Sequence, residues 1–310
     1  MSASRLETPV AFFAFNRPDQ TKRVFEAIRR ARPTRLFVVL DGPRKTHPTD
    51  TQRVADVREA IESRLDWPCQ IDRLYAEENM GCGRRVSSGL DYLFSSVEQA
   101  IILEDDCLPA PSFFPFCEEL LSRYQDDESV MQIAGSNLIQ SMPPIEYSYY
   151  PSRHGPIWGW ASWRRAWKHY DYSMASYASC ETRRRVAQNF PSKVEQHIRM
   201  RHFRDCHLGK IDTWDFQWLY AKIVRQGRTL IPKRNLVENI GFDSDATHTT
   251  NPDRSFEITA RDLDFPLVHP RSLEPDRHLD ELYFQQVFLR HTSPLHKAIM
   301  TLKETVFPTR

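Results

Sequence analysis

Val10-Ala11-Phe12-Phe13-Ala14-Phe15-Asn16-Arg17-Pro18-Asp19 is an unbroken apolar run that stops at a polar turn. Just past it, Val24, Ala27, Ile28 and Ala31 recur at i, i+3, i+4 and i+7. This reads as a buried strand feeding an amphipathic helix, with proline near the helix's first turn. The unit then repeats. Residues 36–40 end at Asp41-Gly42-Pro43-Arg44 before Val54, Val57 and Ile61, and residues 70–74 lead through Glu77-Glu78-Asn79 to Val86, Leu90, Leu93 and Val97. The fourth run, residues 100–103, stops at Glu104-Asp105-Asp106. Such alternation predicts an α/β fold built on a mainly parallel, Rossmann-like sheet with right-handed crossovers and flanking helices.

Ligands bind such sheets beyond the carboxyl ends of the strands, where Asn16-Arg17, Asp41 and Glu104-Asp105-Asp106 are expected to gather. A helix over residues 112–124 and a strand near 130–133 follow. Past Met142-Pro143-Pro144 the composition changes: six of the seven tryptophans fall between Trp158 and Trp218. The stretch from Arg183 to Lys210 carries eight Lys or Arg against two acids. This half is expected to cover the sheet edge. Residues 1–140 therefore read as a ligand-binding α/β half, 141–270 as a second half of the same domain, and 271–310 as short helices and a loose tail.

The whole chain has 310 residues and a formal net charge of +1, which gives no global field for holding nucleic acid. Six cysteines without a C-x-x-C pair, no secretory leader pattern and no apolar run approaching a membrane span predict a cytoplasmic protein. The basic stretch has two readings, a solvated helix face or a peripheral contact with anionic lipid at the inner membrane surface.

Three consecutive carboxylates after a buried strand repel one another, so they need full solvation or a cation. Short-spaced oxygens suit Mn²⁺ or Mg²⁺, which bind phosphates as well. Arg17 can clamp a diphosphate, and Asp41 can accept from a base or ribose, while Asn16 as a helix cap and Asp41 as a turn residue are the plainer readings. Gly81-Cys82-Gly83-Arg84-Arg85 lacks the third glycine of a dinucleotide fingerprint and does not directly follow a strand, which disfavours a hydride-transfer cofactor. It can serve as a phosphate cradle with Arg85 or as a simple tight turn. Trp158, Gly159 and Trp214 can line a sugar pocket, whereas Trp160, Trp163 and Trp167 fall on a helical stripe and read as core. Asp212 or Thr213 reads as a helix cap, Asp215 as a capping acid or a general base. His248, near Asp243 and Asp245, reads as structural or as a further metal ligand.

Together, Asn16-Arg17, Asp41-Gly42-Pro43-Arg44, Asn79-Met80-Gly81-Cys82-Gly83, Glu104-Asp105-Asp106, the Trp158 block, Trp214-Asp215 and Asp245-Ala246-Thr247-His248 resemble bacterial glycosyltransferase-like proteins of the GT-A class (family 2-like), some of them described as haemolytic proteins. The resemblance runs from about Pro9 to His248, and a more distant one is to N-acetylglucosaminyltransferase I. It implies that Asp106, with His248, binds Mn²⁺ or Mg²⁺, that Glu104 and Asp105 position the ribose and nearby groups, and that Asp215 is the base. Trp214-Asp215-Phe216-Gln217-Trp218 departs from that family's Trp-Asp-Asp-Trp block by one inserted residue and lacks its second acid. The expected activity is metal-dependent, inverting transfer of a sugar from a nucleotide-diphosphate donor, a UDP-sugar by resemblance, to a hydroxyl of a glycan or lipid-linked acceptor. A nucleotidyltransferase using the same carboxylate-bound metal, or an inactive carbohydrate-binding relative, are the alternatives.

Overall fold

The computed structural model describes residues 5–241 and 258–289. The first half alternates as expected: β1 (Val10–Ala14), α1 (Pro18–Ala31), β2 (Arg35–Leu40), α2 (Asp50–Glu62), β3 (Gln70–Tyr75), α3 (Cys82–Ser96) and β4 (Gln99–Glu104). Next come β5 (Cys107–Pro109), α4 (Phe113–Arg123), β6 (Val130–Ala134), β7 (Tyr149–Ser152), β8 (Trp160–Trp163) and the short α5 (Arg164–Trp167). The remainder holds α6 (Cys180–Ala187), α7 (Lys193–His207), α8 (Asp215–Val224), β9 (Arg228–Pro232), β10 (Val237–Asn239) and α9 (Arg277–Tyr283).

Eight strands form one sheet in the order β3-β2-β1-β4-β8-β6-β9-β7, and β5 pairs with β10 in a small ribbon. The pairs β1–β2, β1–β4, β2–β3 and β6–β9 are parallel, while β8 runs antiparallel to β4 and β6, as β7 does to β9. The fold is thus mixed α/β and mainly parallel.

Period-2 alternation distributes the central strands between two cores. Phe12, Val38, Ile101 and Leu103 face α1, α2 and α4, represented by Phe25, Ile61 and Leu120. Phe13, Phe37, Val39 and Ile102 face α3, α5 and α8, represented by Leu90, Trp167 and Trp218. With both faces covered, the strands read as continuous apolar runs, which made them legible.

One expectation needs correction. Trp160 and Trp163 do not share a helical stripe with Trp167: they open and close β8, so Trp160 enters one core and Trp163 the other, and only Trp167 is helical. Spacing of three suits a helix, but in a four-residue strand it puts the rings on opposite faces. In the described C-terminal part, the short helix α9 packs Leu279 and Tyr283 on Leu138, Tyr150 and Ile231.

Candidate functional site

β1 and β4 end side by side, Phe13 abreast of Glu104. Beyond these ends opens a cleft of about 500 Å³, walled opposite by Trp158 and the segment leading into α8. Arg17, Arg85, Glu104, Asp106, Asp212 and Asp215 all line it. The tertiary fold thereby joins acids more than a hundred residues apart in the chain.

Glu104 is the last residue of β4, and its Oε1 is buried without a hydrogen-bond partner. Burial first, then the charges of Asp106, Asp105 and Asp215, push its carboxyl well above the usual range. Asp105 accepts the Phe15 N–H at 3.0 Å, tying the ends of β1 and β4 together. Arg17 Nη1 donates to Asp106 Oδ2 at 2.8 Å and lies 3.7 Å from Asp105. One guanidinium thus offsets part of a local negative excess.

Asn16 is not the cap of α1. That position belongs to Arg17, with no side-chain cap bond, while Asn16 Nδ2 donates to buried Asp50 at 2.8 Å. Asp50 also receives Arg44 through Nε at 2.6 Å and Nη2 at 3.0 Å. Asn16 and Arg44 both line the cleft. Asp41 faces into its own turn, accepting from the Gly42 N–H at 2.8 Å, the Met80 N–H at 2.9 Å and Asn79 Nδ2 at 2.9 Å. Asp41 is buried and does not line the cleft, whereas Asn79, which it orients, does. Burial raises the Asp41 carboxyl despite these donors.

The α3 N-terminus is not an open phosphate cradle. Asp212 Oδ1 accepts the Gly83 N–H at 3.0 Å, so a carboxylate already complements that end of the helix. A Cβ at Gly81, where φ is +79°, or at Gly83 would come within 2.5 Å or 2.6 Å of the Asp212 carboxylate oxygens, so the two glycines admit the acid. Asp212 therefore caps a distant helix and not α8, whose N-cap is Trp214 with no side-chain cap bond. Thr213 Oγ1 donates to Asp215 Oδ1, holding one carboxylate oxygen while Asp215 lines the cleft. Arg85 donates through Nη2 to the Leu74 carbonyl, and its Nε is buried without a partner.

Trp158 is half-buried and lines the cleft. Trp214 also contributes to the wall but is only 2% exposed and stacks on Trp160 with ring centroids 5.5 Å apart, so most of it is core. Gly159 does not line the cleft. It has φ +61°, and a Cβ there would stand 2.7 Å from Val237, a close-packing role. Cys82 lines the cleft, but burial and four neighbouring acids push its thiol up, which disfavours a thiolate nucleophile. Asp243, Asp245 and His248 lie outside the described residues.

The orphaned Glu104 oxygen and the Asp106 carboxylate make a hard-oxygen corner that fits Mn²⁺ or Mg²⁺. Among the described residues no group of three His, Cys, Asp or Glu is placed to hold an ion. The fit is therefore to an ion that takes one or two protein carboxylates and completes its shell with substrate oxygens and water.

Sequence reasoning gave Asp212 to the wrong helix and assigned no separate role to Asn79 or Asn239, which also lines the cleft. The signal for Asp212 was Gly81-x-Gly83, a helix start stripped of side chains. Within the basic stretch, Arg199 is buried, while Arg184, Arg185, Lys193, Arg201, Arg204 and Lys210 are exposed. Among the described residues no helix is long and apolar enough to cross a membrane.

No family model and no curated protein matches the chain. Solved structures do show similarity. A mannosyltransferase from Pyrobaculum calidifontis, in complex with GDP-Man and Mn²⁺, aligns at 14% identity and TM-score 0.36 over 51% of this chain and 45% of its own. TarS from S. aureus, residues 1–349, aligns at 10% and 0.40 over 74% and 59%. A UDP-glucose pyrophosphorylase complexed with UDP-glucose aligns at 10% and 0.38 over 73% and 90%. The chain thus spans less than two thirds of the mannosyltransferase and of TarS.

Proposed function

We propose that this protein is a metal-dependent glycosyltransferase that inverts configuration, moving a sugar from a nucleoside-diphosphate donor to a hydroxyl acceptor. The observation that carries the reading is the convergence of Glu104, Asp106 and Asp215 with Arg17 and Arg85 in one cleft beyond the parallel strands. The motif resemblance to GT-A enzymes points the same way.

Asp106 and Glu104 would hold the divalent ion, which when bound neutralises charge growing on the leaving diphosphate. Arg17 is already fixed against Asp106, so its guanidinium is a preorganised cation facing phosphate oxygens at little reorganisation cost. Arg85, with a desolvated Nε, adds a second cationic donor. Asn16, Arg44 and Asn79 offer polar contacts to the nucleoside end, oriented by buried Asp50 and Asp41.

Asp215 is preferred over Asp212 as the base because the Asp212 carboxylate is engaged by the α3 backbone. The Thr213 hydroxyl holds one Asp215 oxygen and leaves the other for the acceptor proton. In the step, the acceptor O–H proton passes to Asp215 as the acceptor oxygen bonds to the anomeric carbon. The bond from that carbon to the diphosphate oxygen breaks, its electron pair leaving with the diphosphate.

Asp215→Asn is expected to keep donor and Mn²⁺ affinity by calorimetry while losing transfer by roughly 10²- to 10⁴-fold. Undiminished turnover would remove Asp215 from the role. A screen of nucleotide sugars with and without Mn²⁺ tests the class: nucleoside diphosphate release supports transfer, and pyrophosphate release with a sugar phosphate and nucleoside triphosphate supports nucleotidyl transfer instead.

A further inference from the structure

Two segments far apart in the chain line the cleft together: the loop between β7 and β8, through Ile157 and Trp158, and the start of α8, through Asp215. Both are bonded to one side chain, Gln132 of β6, which is fully buried. Its Oε1 accepts from two residues of α8, Trp218 Nε1 at 3.0 Å and Lys222 Nζ at 2.6 Å, while its Nε2 donates to the Pro156 carbonyl at 2.8 Å. Only this orientation of the amide gives both its atoms partners of the right kind. Asp215, Trp218 and Lys222 are spaced i, i+3 and i+7, so the residues that Gln132 holds share a face of α8 with the acid in the cleft.

The loop is gripped at both ends. A Cβ at Gly155 would stand 2.1 Å from Lys222 Nζ and 2.8 Å from both Gln132 Oε1 and Thr229 Oγ1, so the backbone itself presses on the polar cluster. At the other end the Gly159 carbonyl accepts the Gly135 N–H at 2.7 Å. Between these anchors stand Ile157 and Trp158, both half-buried and both on the cleft wall.

We propose that Gln132 is a positioning residue: holding α8 with one atom of its amide and the β7–β8 loop with the other, it sets the separation of Asp215 from Trp158, and with it the space in which sugar and acceptor meet the base. This rests on the transferase reading of the cleft. An apolar side chain at 132 would release both segments, and an ionised carboxylate of the same length would release the loop alone.

Gln132→Glu is therefore the discriminating variant. It keeps an acceptor for Trp218 and Lys222 but has no N–H for the Pro156 carbonyl, and its charge is met by Lys222, whose acceptors Gln132 and Thr229 are both uncharged. Gly155→Ala pushes the same loop with the amide left in place, and carries the same expectations where Gln132→Glu does not fold. Hydrogen exchange in residues 153–159 is expected to rise about tenfold or more, with β1, β4 and α8 unchanged. By calorimetry, UDP and Mn²⁺ affinity should stay near wild type, while sugar transfer per folded molecule falls roughly 10- to 10²-fold, as for a misplacement of about 1 Å.

Unchanged turnover per folded molecule, or exchange that rises uniformly across the core, would mark the amide as merely structural and overturn the proposal. Unaltered loop exchange in both variants overturns it too. A wild-type chain that turns over no nucleotide sugar removes the transferase reading instead, and loop exchange then still decides whether Gln132 fixes Trp158 against α8.

Discussion

Asp50 shows how much one side chain can organise. Its carboxylate receives Asn16 from the end of β1 and both Nε and Nη2 of Arg44 from the loop after β2. The Arg44 bonds, helped by Asn16 and opposed by burial, lower its pKa from 3.8 to about 2. Since the unfolded chain binds this proton at higher pH than the folded chain, the associated stability is present in full above about pH 4 and is lost as pH falls through 2. The gap corresponds to about 2 kcal/mol. Asp50→Asn is therefore expected to cost stability at pH 5 and to cost much less at pH 2. Urea unfolding at several pH values checks this, and an equal cost at both ends would contradict it. Nothing in Asp50's local sequence distinguished it from an ordinary first-turn acid, because its partners come from 6 and 34 residues away.

Among the elements, the start of α3 and the approach to α8 depend on each other. Asp212 supplies the cap that α3 lacks locally, and Gly83 leaves room for it. Two effects compete in Gly83→Ala. Alanine improves helix propensity by up to about 1 kcal/mol, but its methyl would sit 2.6 Å from Asp212 Oδ1 and 2.7 Å from the Thr213 carbonyl oxygen. A backbone carbonyl cannot swing aside as a side chain can, so overpacking should win, at a typical cost of roughly 1–3 kcal/mol. The expected outcome is a lowered Tm with the Asp215 segment displaced. A Tm at or above wild type would show that the α8 approach is free to move. β8 makes a related point: its tryptophans looked helical because spacing alone cannot separate a short strand from a helix turn, and only pairing with β4 and β6 decides it.

For the whole molecule, α9 closes the β9–β7 edge of the sheet, where Leu279 and Tyr283 cover Tyr150 and Ile231. Asp280 anchors it, accepting from Ser152 Oγ at 2.5 Å. Leu279→Ala should cost roughly 2–5 kcal/mol if the helix stays docked, and less if it opens locally. Hydrogen exchange distinguishes the outcomes: the expected result is faster exchange in α9 and β7 with β1 and β4 unchanged, while uniform acceleration would mean that α9 unfolds only with the core.

The sequence by itself determined the central parallel strands and their helices, because strands buried on both faces must be apolar along their length and the polar turns after them must fall at one edge. It also determined which acids and arginines end those strands. Only the tertiary structure decided which of them share the cleft. That choice depends on antiparallel β8 and the long return to α8, whose contacts span more than a hundred residues and leave no local period. It turned Asp41 inward, put Asn79 on the cleft wall, spent Asp212 on a helix end and buried Arg199 against Glu195. Each of those outcomes follows from the cost of burying a polar group without a partner, and the partner's identity is a property of the packed chain.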